Sequence, residues 1–376
     1  MNNIKKNPAH SMCLSGKVYP LDHRNAIFYN ICHKMKKAAG PTLLIVLCCL
    51  IQLFFLLKSV PCQQAQAAGK TPLERYGRLG VSGSRLTDNS GNPVQLKGVS
   101  THGLSWYPQY VTKKAFRTLR DKWNADVVRL AMYTAEYNGY CTGSSQNRKE
   151  LKALIDKAVR YCDELGLYVI IDWHILSDNH PDIYKKQAKA FFKSMARKYA
   201  EQGNVIYEIC NEPNGGVTWP QIRSYARTVI RTIRRYDKNG IIITGTPSWS
   251  QDVDIAASSP LKGSNLMYGF HYYASTHGEP YRQKLLQAVD AGLPVFVSEY
   301  GICEASGNGV IRREEAARWM ELLDRNSISC VAWNLSNKDE ASALIRTDCA
   351  KTDSWKRSEL SASGKWVYDM MRNSEK

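Results

Sequence analysis

The sequence predicts a single α/β domain, a (β/α)8 TIM barrel with parallel strands and its site at the C-terminal face. From residue 78 onward, short apolar, β-branched runs alternate with amphipathic stretches, the pattern of a parallel sheet covered by helices. Eight such runs fit the strand number and size of a closed barrel. Polar and aromatic residues gather at the C-terminal ends of nearly all the runs. A doubly wound sheet, the competing architecture, would concentrate them at one switch point.

The strands are expected at Val94–Val99, Asp126–Met132, Tyr168–Asp172, Val205–Ile209, Ile241–Thr246, Leu266–Phe270, Val295–Ser298 and Ser329–Trp333. Between them, apolar residues at helical spacing place helices at Lys113–Lys122, Arg148–Leu165, Tyr184–Gln202, Trp219–Tyr236, Tyr281–Ala291 and Arg312–Asn326. Asp252–Ala257 is a short candidate, and a last helix is expected near Gly364–Met371.

Composition sets the outer limits. The 376 residues are 44% hydrophobic and 23% charged, a globular balance that excludes disordered, collagen-like and coiled-coil chains. The net charge is +17, of which residues 1–67 carry +7. No basic run with interleaved aromatics follows residue 70, so nucleic acid is not an expected partner. Tyr (21) and Trp (9) are plentiful, as a sugar-binding cleft requires.

Residues 1–67 read as an address. Met35-Lys36-Lys37 precedes the apolar run Thr42–Leu57, and Ala65-Gln66-Ala67 fits a small-residue cleavage site. Met35 is a candidate start. The run is shorter than the roughly 20 residues that span a bilayer, which favours a secretory signal over a membrane anchor through 42–57. Residues 68–376 are expected to form the barrel. Its six cysteines (Cys141, Cys162, Cys210, Cys303, Cys330, Cys349) contain no C-x-x-C pair, so zinc is not expected. Cys162, Cys210 and Cys330 read as buried free thiols, and Cys141 and Cys349 as candidates for loop bridges.

Two glutamates stand out. Glu212 follows Val205-Ile-Tyr-Glu-Ile-Cys-Asn211, and Glu299 follows Val295-Phe-Val-Ser298. A charge at the end of an apolar strand is costly unless it has partners or a task. Either alone could be a structural ion pair. Together, on strands 4 and 7 across the mouth of a barrel, they suit glycosidic bond cleavage, which needs a proton donor and a second carboxylate.

Val205–Pro213 (V-I-Y-E-I-C-N-E-P) and Val295–Gly301 (V-F-V-S-E-Y-G), with Gly98–Trp106, Asp172-Trp173-His174 and His271-Tyr272-Tyr273, resemble the motifs of glycoside hydrolase family 5, and in particular its bacterial endo-β-1,4-glucanases. The resemblance runs from about Gly80 to Met371. It implies Glu212 as acid/base and Glu299 as nucleophile of a retaining mechanism, with their carboxyls about 5–5.5 Å apart and the Glu299 charge raising the Glu212 pKa.

By the same resemblance, Arg129 keeps Glu299 ionised, Asn211 bonds the sugar 2-hydroxyl, and Tyr273 reaches the nucleophile. His102 and His271 bond sugar hydroxyls or order the glutamates. His174 either lines the cleft or is a buried structural histidine. Trp333 is the expected platform under the sugar at the cleavage point, with Trp106, Tyr133 and Trp249 lining flanking subsites, each alternatively a core residue. Lys338 and Glu340 would hydrogen-bond glucose in distal subsites.

The resemblance thus implies a β-glucan polysaccharide substrate, a monomer, no cofactor and no metal. Mannan, xyloglucan and mixed-linkage β-glucan are the alternative substrates, and a non-catalytic carbohydrate-binding barrel the alternative class. A metal-dependent hydrolase lacks its H-E-x-x-H motif. No carbohydrate-binding module or Ser/Thr/Pro-rich linker is recognisable, so soluble or amorphous glucan is expected over crystalline cellulose.

Overall fold

The computed structural model describes residues 11–14, 17–20 and 69–373, and the chain divides into two units at Gly69/Lys70. In the first unit, Ser11–Leu14 pairs antiparallel with Lys17–Pro20. The apolar run 42–57 and the expected cleavage site lie outside the described residues. No helix among the described residues is long and apolar enough to cross a membrane.

The second unit is a closed barrel of eight parallel strands. They are β1 (Lys97–Thr101), β2 (Val127–Tyr133), β3 (Tyr168–His174), β4 (Val205–Glu208), β5 (Ile241–Thr244), β6 (Leu266–Tyr273), β7 (Val295–Gly301) and β8 (Cys330–Leu335). Each pairs with the next, and β8 returns to β1 through Cys330 opposite Lys97. One helix follows each strand: α1 (Lys113–Trp123), α2 (Ser145–Leu165), α3 (Lys185–Tyr199), α4 (Trp219–Arg234), α5 (Val253–Ala257), α6 (Glu279–Asp290), α7 (Arg313–Arg325) and α8 (Ala362–Asn373).

Local chemistry sets the helix ends. Thr112 caps α1 by accepting from the Ala115 amide, and Asn124 closes it with a left-handed φ of 58°. Ser144 caps α2, which therefore starts ahead of the expected Arg148, because Ser caps initiate a helix before its apolar periodicity begins. The first strand also differs from expectation. Val94 does not belong to it; its amide donates to Leu86 O in the N-terminal segment, and β1 begins only at Lys97.

That segment seals the bottom of the barrel. A short helix, Pro72–Tyr76, and a hairpin of Gly80–Ser82 with Arg85–Thr87 bring Leu79, Leu86, Val94 and Leu96 against Ile170, Ile206, Ile243, Met267, Phe296 and Val331. The larger apolar layer lies between strands and helices. All six cysteines of this unit are free thiols. Cys162, Cys210 and Cys330 are buried as expected. The loop-bridge expectation for Cys141 and Cys349 is not met, since Cys349 packs into the core under the β8–α8 loop.

Strand alternation aims successive inward side chains up the barrel: Val127, Arg129, Ala131 and Tyr133 on β2; Ile206 and Glu208 on β4; His271 and Tyr273 on β6. β7 breaks the alternation. Gly269 pairs with Phe296 but His271 with Glu299, so β7 gains one residue over β6. Such a bulge re-aims side chains, and here it lets Glu299 join Ser298 on the inside.

Candidate active site

Arg129 organises the floor of the mouth. It is fully buried and donates from Nε to Glu208 Oε2 at 2.7 Å, from Nη1 to Glu299 Oε2 at 2.9 Å and from Nη2 to Asn211 Oδ1 at 2.5 Å. Asp172 Oδ2 lies 3.1 Å from Nη2. Burial works against the guanidinium charge, but Asp172, Glu208 and Glu299 hold its pKa above the ordinary value.

One ligating atom from each of Glu212, His271 and Glu299 lies within 4.8 Å of the others. One carboxylate oxygen of Glu212 thus lies within 4.8 Å of one of Glu299, a close approach that suits a directly attacking carboxylate better than a pair spread to admit a water. Their environments push them apart electrically. Burial raises the Glu212 carboxyl, and the Glu299 charge adds to this against the hydrogen bond with His271. The rise expected from Glu299 alone is therefore mainly a burial effect. Burial also acts to raise Glu299, but the His271 and Arg129 charges and the Tyr273 hydroxyl, which donates to Oε1 at 2.7 Å, bring it below the usual range.

The three groups do not make a cation site. His271 Nδ1 is 2.8 Å from Glu212 Oε1, and the Arg129 charge already serves Glu299, so an added divalent ion would meet two resident cations.

Two lobes of the cleft meet at Glu212. The first, about 320 Å³, is lined by His102, Trp106, Tyr133, His174, Glu299, Trp333, Lys338 and Glu340. His174 both lines this lobe and is buried: its ring stacks on Trp333 at 5.3 Å, and Nδ1 lies 2.6 Å from Asp172 Oδ2. Burial lowers the pKa of both His102 and His174 to about 3, so both rings are neutral. Glu340 is not a solvated loop residue. Asn334 Nδ2 and Ser342 Oγ donate to its Oε1, and Lys338 Nζ is 2.6 Å from Oε2.

The second lobe, about 300 Å³, is lined by Glu212, Trp249, Gln251, His271, Tyr273, His277 and Ala305. Trp249 is 47% exposed, the most open aromatic of the site. It sits in a turn where Ser248, Trp249 and Ser250 all have φ near +57° (56°, 58° and 59°). The turn is tied to the acid/base segment: the Trp249 amide donates to Pro213 O at 3.0 Å, and Ser250 Oγ to Asn211 O at 2.5 Å. Larger grooves outside, about 450 Å³ by α1 and α8 and about 720 Å³ by α7 and α8, have no facing pair of acids with a shared buried arginine.

All fourteen residues singled out in the sequence therefore border the mouth or its floor. Missed were Glu208 and Asp172 as partners of Arg129, and Gln251 and His277 in the second lobe. Glu208 carried a signal: it is a charge inside the apolar run Val205–Ile209, the same anomaly that marked Glu212.

A barrel whose mouth sets one carboxyl with a raised pKa against one with a lowered pKa has the fold and the machinery of a glycoside hydrolase. The family model for cellulase, glycosyl hydrolase family 5, matches residues 87–339, and the chain belongs to that family. It is 48% identical to endoglucanase A of Butyrivibrio fibrisolvens over 80% of this chain and 70% of that one. It is 47% identical to endoglucanase 5 of Pectobacterium carotovorum over 81% of this chain and 60% of that one. The catalytic domain of the Thermobifida fusca endoglucanase, solved in complex with cellotetraose, aligns with a TM-score of 0.75 at 39% identity, covering 81% of this chain and 100% of that one.

Proposed function

We propose that the protein is an endo-β-1,4-glucanase that cleaves internal bonds of cellulose-type glucans with retention of anomeric configuration. The approach of Glu212 and Glu299 to within 4.8 Å carries the mechanism. The endoglucanase relatives and the cellotetraose complex of one of them support the substrate class.

Glu299 attacks the anomeric carbon while Glu212 protonates the departing glycosidic oxygen, giving a glycosyl ester on Glu299 and a free sugar end. With the Glu299 charge gone, Glu212 is a base. It takes a proton from water, which attacks the anomeric carbon and releases Glu299. The attacked sugar belongs in the lobe that contains Glu299, over Trp333. The leaving sugar belongs in the lobe that contains Glu212 without Glu299, beside Trp249. Asn211 Nδ2 gives one proton to Ile175 O and keeps a second for the sugar 2-hydroxyl. Residues 68–376 are the catalytic part, and 1–67 serve export, with 42–57 as the apolar stretch.

The test is the release of reducing ends from carboxymethyl-cellulose, with glucomannan, xyloglucan and mixed-linkage β-glucan in parallel, for the protein and its Glu299→Gln variant. Rapid release from the cellulose derivative, lost in the folded variant, is expected. Release from another glycan alone moves the substrate, and no release from any sinks the enzyme reading.

A further inference from the structure

Glu208 is the buried acid of the site that the double displacement leaves without a task. It sits on β4 with no exposed surface. Its Oε2 accepts from Arg129 Nε, but its Oε1 is buried and accepts no hydrogen bond, an arrangement that calls for an explanation. His271 Nε2 stands 3.8 Å from that oxygen.

His271 has a hydrogen-bond partner on each side. Nδ1 lies 2.8 Å from Glu212 Oε1, and Nε2 lies 3.0 Å from Ser298 Oγ. Its protonation decides where the acid proton of Glu212 goes. A neutral ring protonated on Nε2 would accept at Nδ1, and the Glu212 proton would be spent on the ring; one protonated on Nδ1 would turn the bare lone pair of Nε2 towards the Glu208 carboxylate 3.8 Å away. An imidazolium donates at both nitrogens. Glu212 Oε1 is then an acceptor, and the acid proton must sit on Oε2.

We propose that Glu208 is a positioning residue for the acid step: its carboxylate holds His271 as an imidazolium, which occupies Oε1 of Glu212 and confines the transferable proton to Oε2. This rests on the glycosidase reading above. Five charged or titratable groups face His271: Arg129 from β2, Asp172 from β3, Glu208 from β4, Glu212 after it and Glu299 from β7. Glu212 must begin protonated. Glu299 loses its charge in the covalent intermediate. Burial pushes Asp172 well above the carboxylate range, and its Oδ2 is already engaged by Arg129 Nη2 and His174 Nδ1. Glu208 takes part in neither the proton transfer nor the glycosyl transfer and keeps its charge through the cycle: burial acts to raise it, but Arg129 and His271 bring it down to about 2. Burial acts to lower His271, and the carboxylates of Glu208, Glu212 and Glu299 around it raise it to about 9.

Glu208→Gln keeps the shape and an oxygen for Arg129 while removing the charge. The pH dependence of kcat/KM is measured on two aryl β-cellobiosides, one with a leaving group that needs protonation and one without. The alkaline limb is expected to fall by about one pH unit or more, because a missing negative charge lets both His271 and Glu212 deprotonate earlier. At the wild-type optimum the loss is expected to be larger for the leaving group that needs protonation. An alkaline limb left in place, with equal loss on both substrates, overturns the proposal.

Should the variant not fold, the 15N resonances of the histidine rings in the wild-type protein decide, with His271→Gln for assignment. Both His271 nitrogens are expected to be protonated at pH 7; a neutral ring overturns the proposal. Inactive wild-type protein would instead sink the glycosidase reading, which neither Glu208 result does.

Discussion

At Ile206 the barrel interior is hydrocarbon; two residues further along β4, at Glu208, it is ionic. The same step occurs from Val127 to Arg129 on β2 and from Ile170 to Asp172 on β3. On these three strands the alternation runs unbroken through both halves, so inward direction is there a property of the strand and chemistry a property of height. The lower half is closed by an N-terminal segment that lays Leu79, Leu86, Val94 and Leu96 against the strands. The upper half packs Arg129 and His271, both held charged, against four acids: Glu208 and Glu299 lie below the carboxylate range, and burial pushes Asp172 and Glu212 above it. Pairing opposite charges in this way is how ions persist where isolated charges would be expelled.

Four measurements break or sharpen that contrast. Arg129→Met should have the largest effect, because it orphans the buried carboxylates: a loss of about 3–5 kcal/mol in urea unfolding together with nearly all turnover. Leu86→Ala, in the lower half, should cost about 2–5 kcal/mol of stability through the cavity it leaves, while kcat of the folded enzyme stays close to wild type. If it lowered kcat as strongly as Arg129→Met, the two halves would not be separable.

The pH profile comes third. Activity requires Glu299 ionised and Glu212 protonated. It should therefore rise as pH climbs through the lowered pKa of Glu299 and fall as it passes the raised pKa of Glu212. Glu212→Ala should erase the alkaline limb and leave the acid one. Trp249→Ala is the mildest change: one exposed ring lost from the second lobe, raising KM for long oligosaccharides up to about tenfold with little change in kcat.

Much of this was legible in the sequence, for physical reasons. Burial on both faces forces near-continuous apolar runs, so the eight strands show themselves, and catalysis puts charges at their ends. The sealing hairpin stayed hidden, because three-residue strands show no period. Glu208 and Asp172 were passed over because their meaning lies in Arg129, 79 and 43 residues away in the chain. Glu299 is the sharpest case. Strict alternation from Phe296 would turn it outward with Val297. Only the bulge in β7 turns it in; its place as a charge ending an apolar run, not the alternation, marked it in the sequence.

The turn at Ser248–Ser250 gives the two walls of the cleft different mechanical characters. Trp333 rides on a barrel strand. Trp249 rides on backbone held in the left-handed region, at roughly 1–2 kcal/mol per residue for L-amino acids. Its ties to Asn211 and Pro213 act like a cocked spring fastened to the acid/base segment. Substitutions that slacken the fastening would let the ring drift and loosen the grip on the departing sugar while leaving the ionic floor untouched. Product affinity could thus be tuned over generations without reopening the question of bond cleavage.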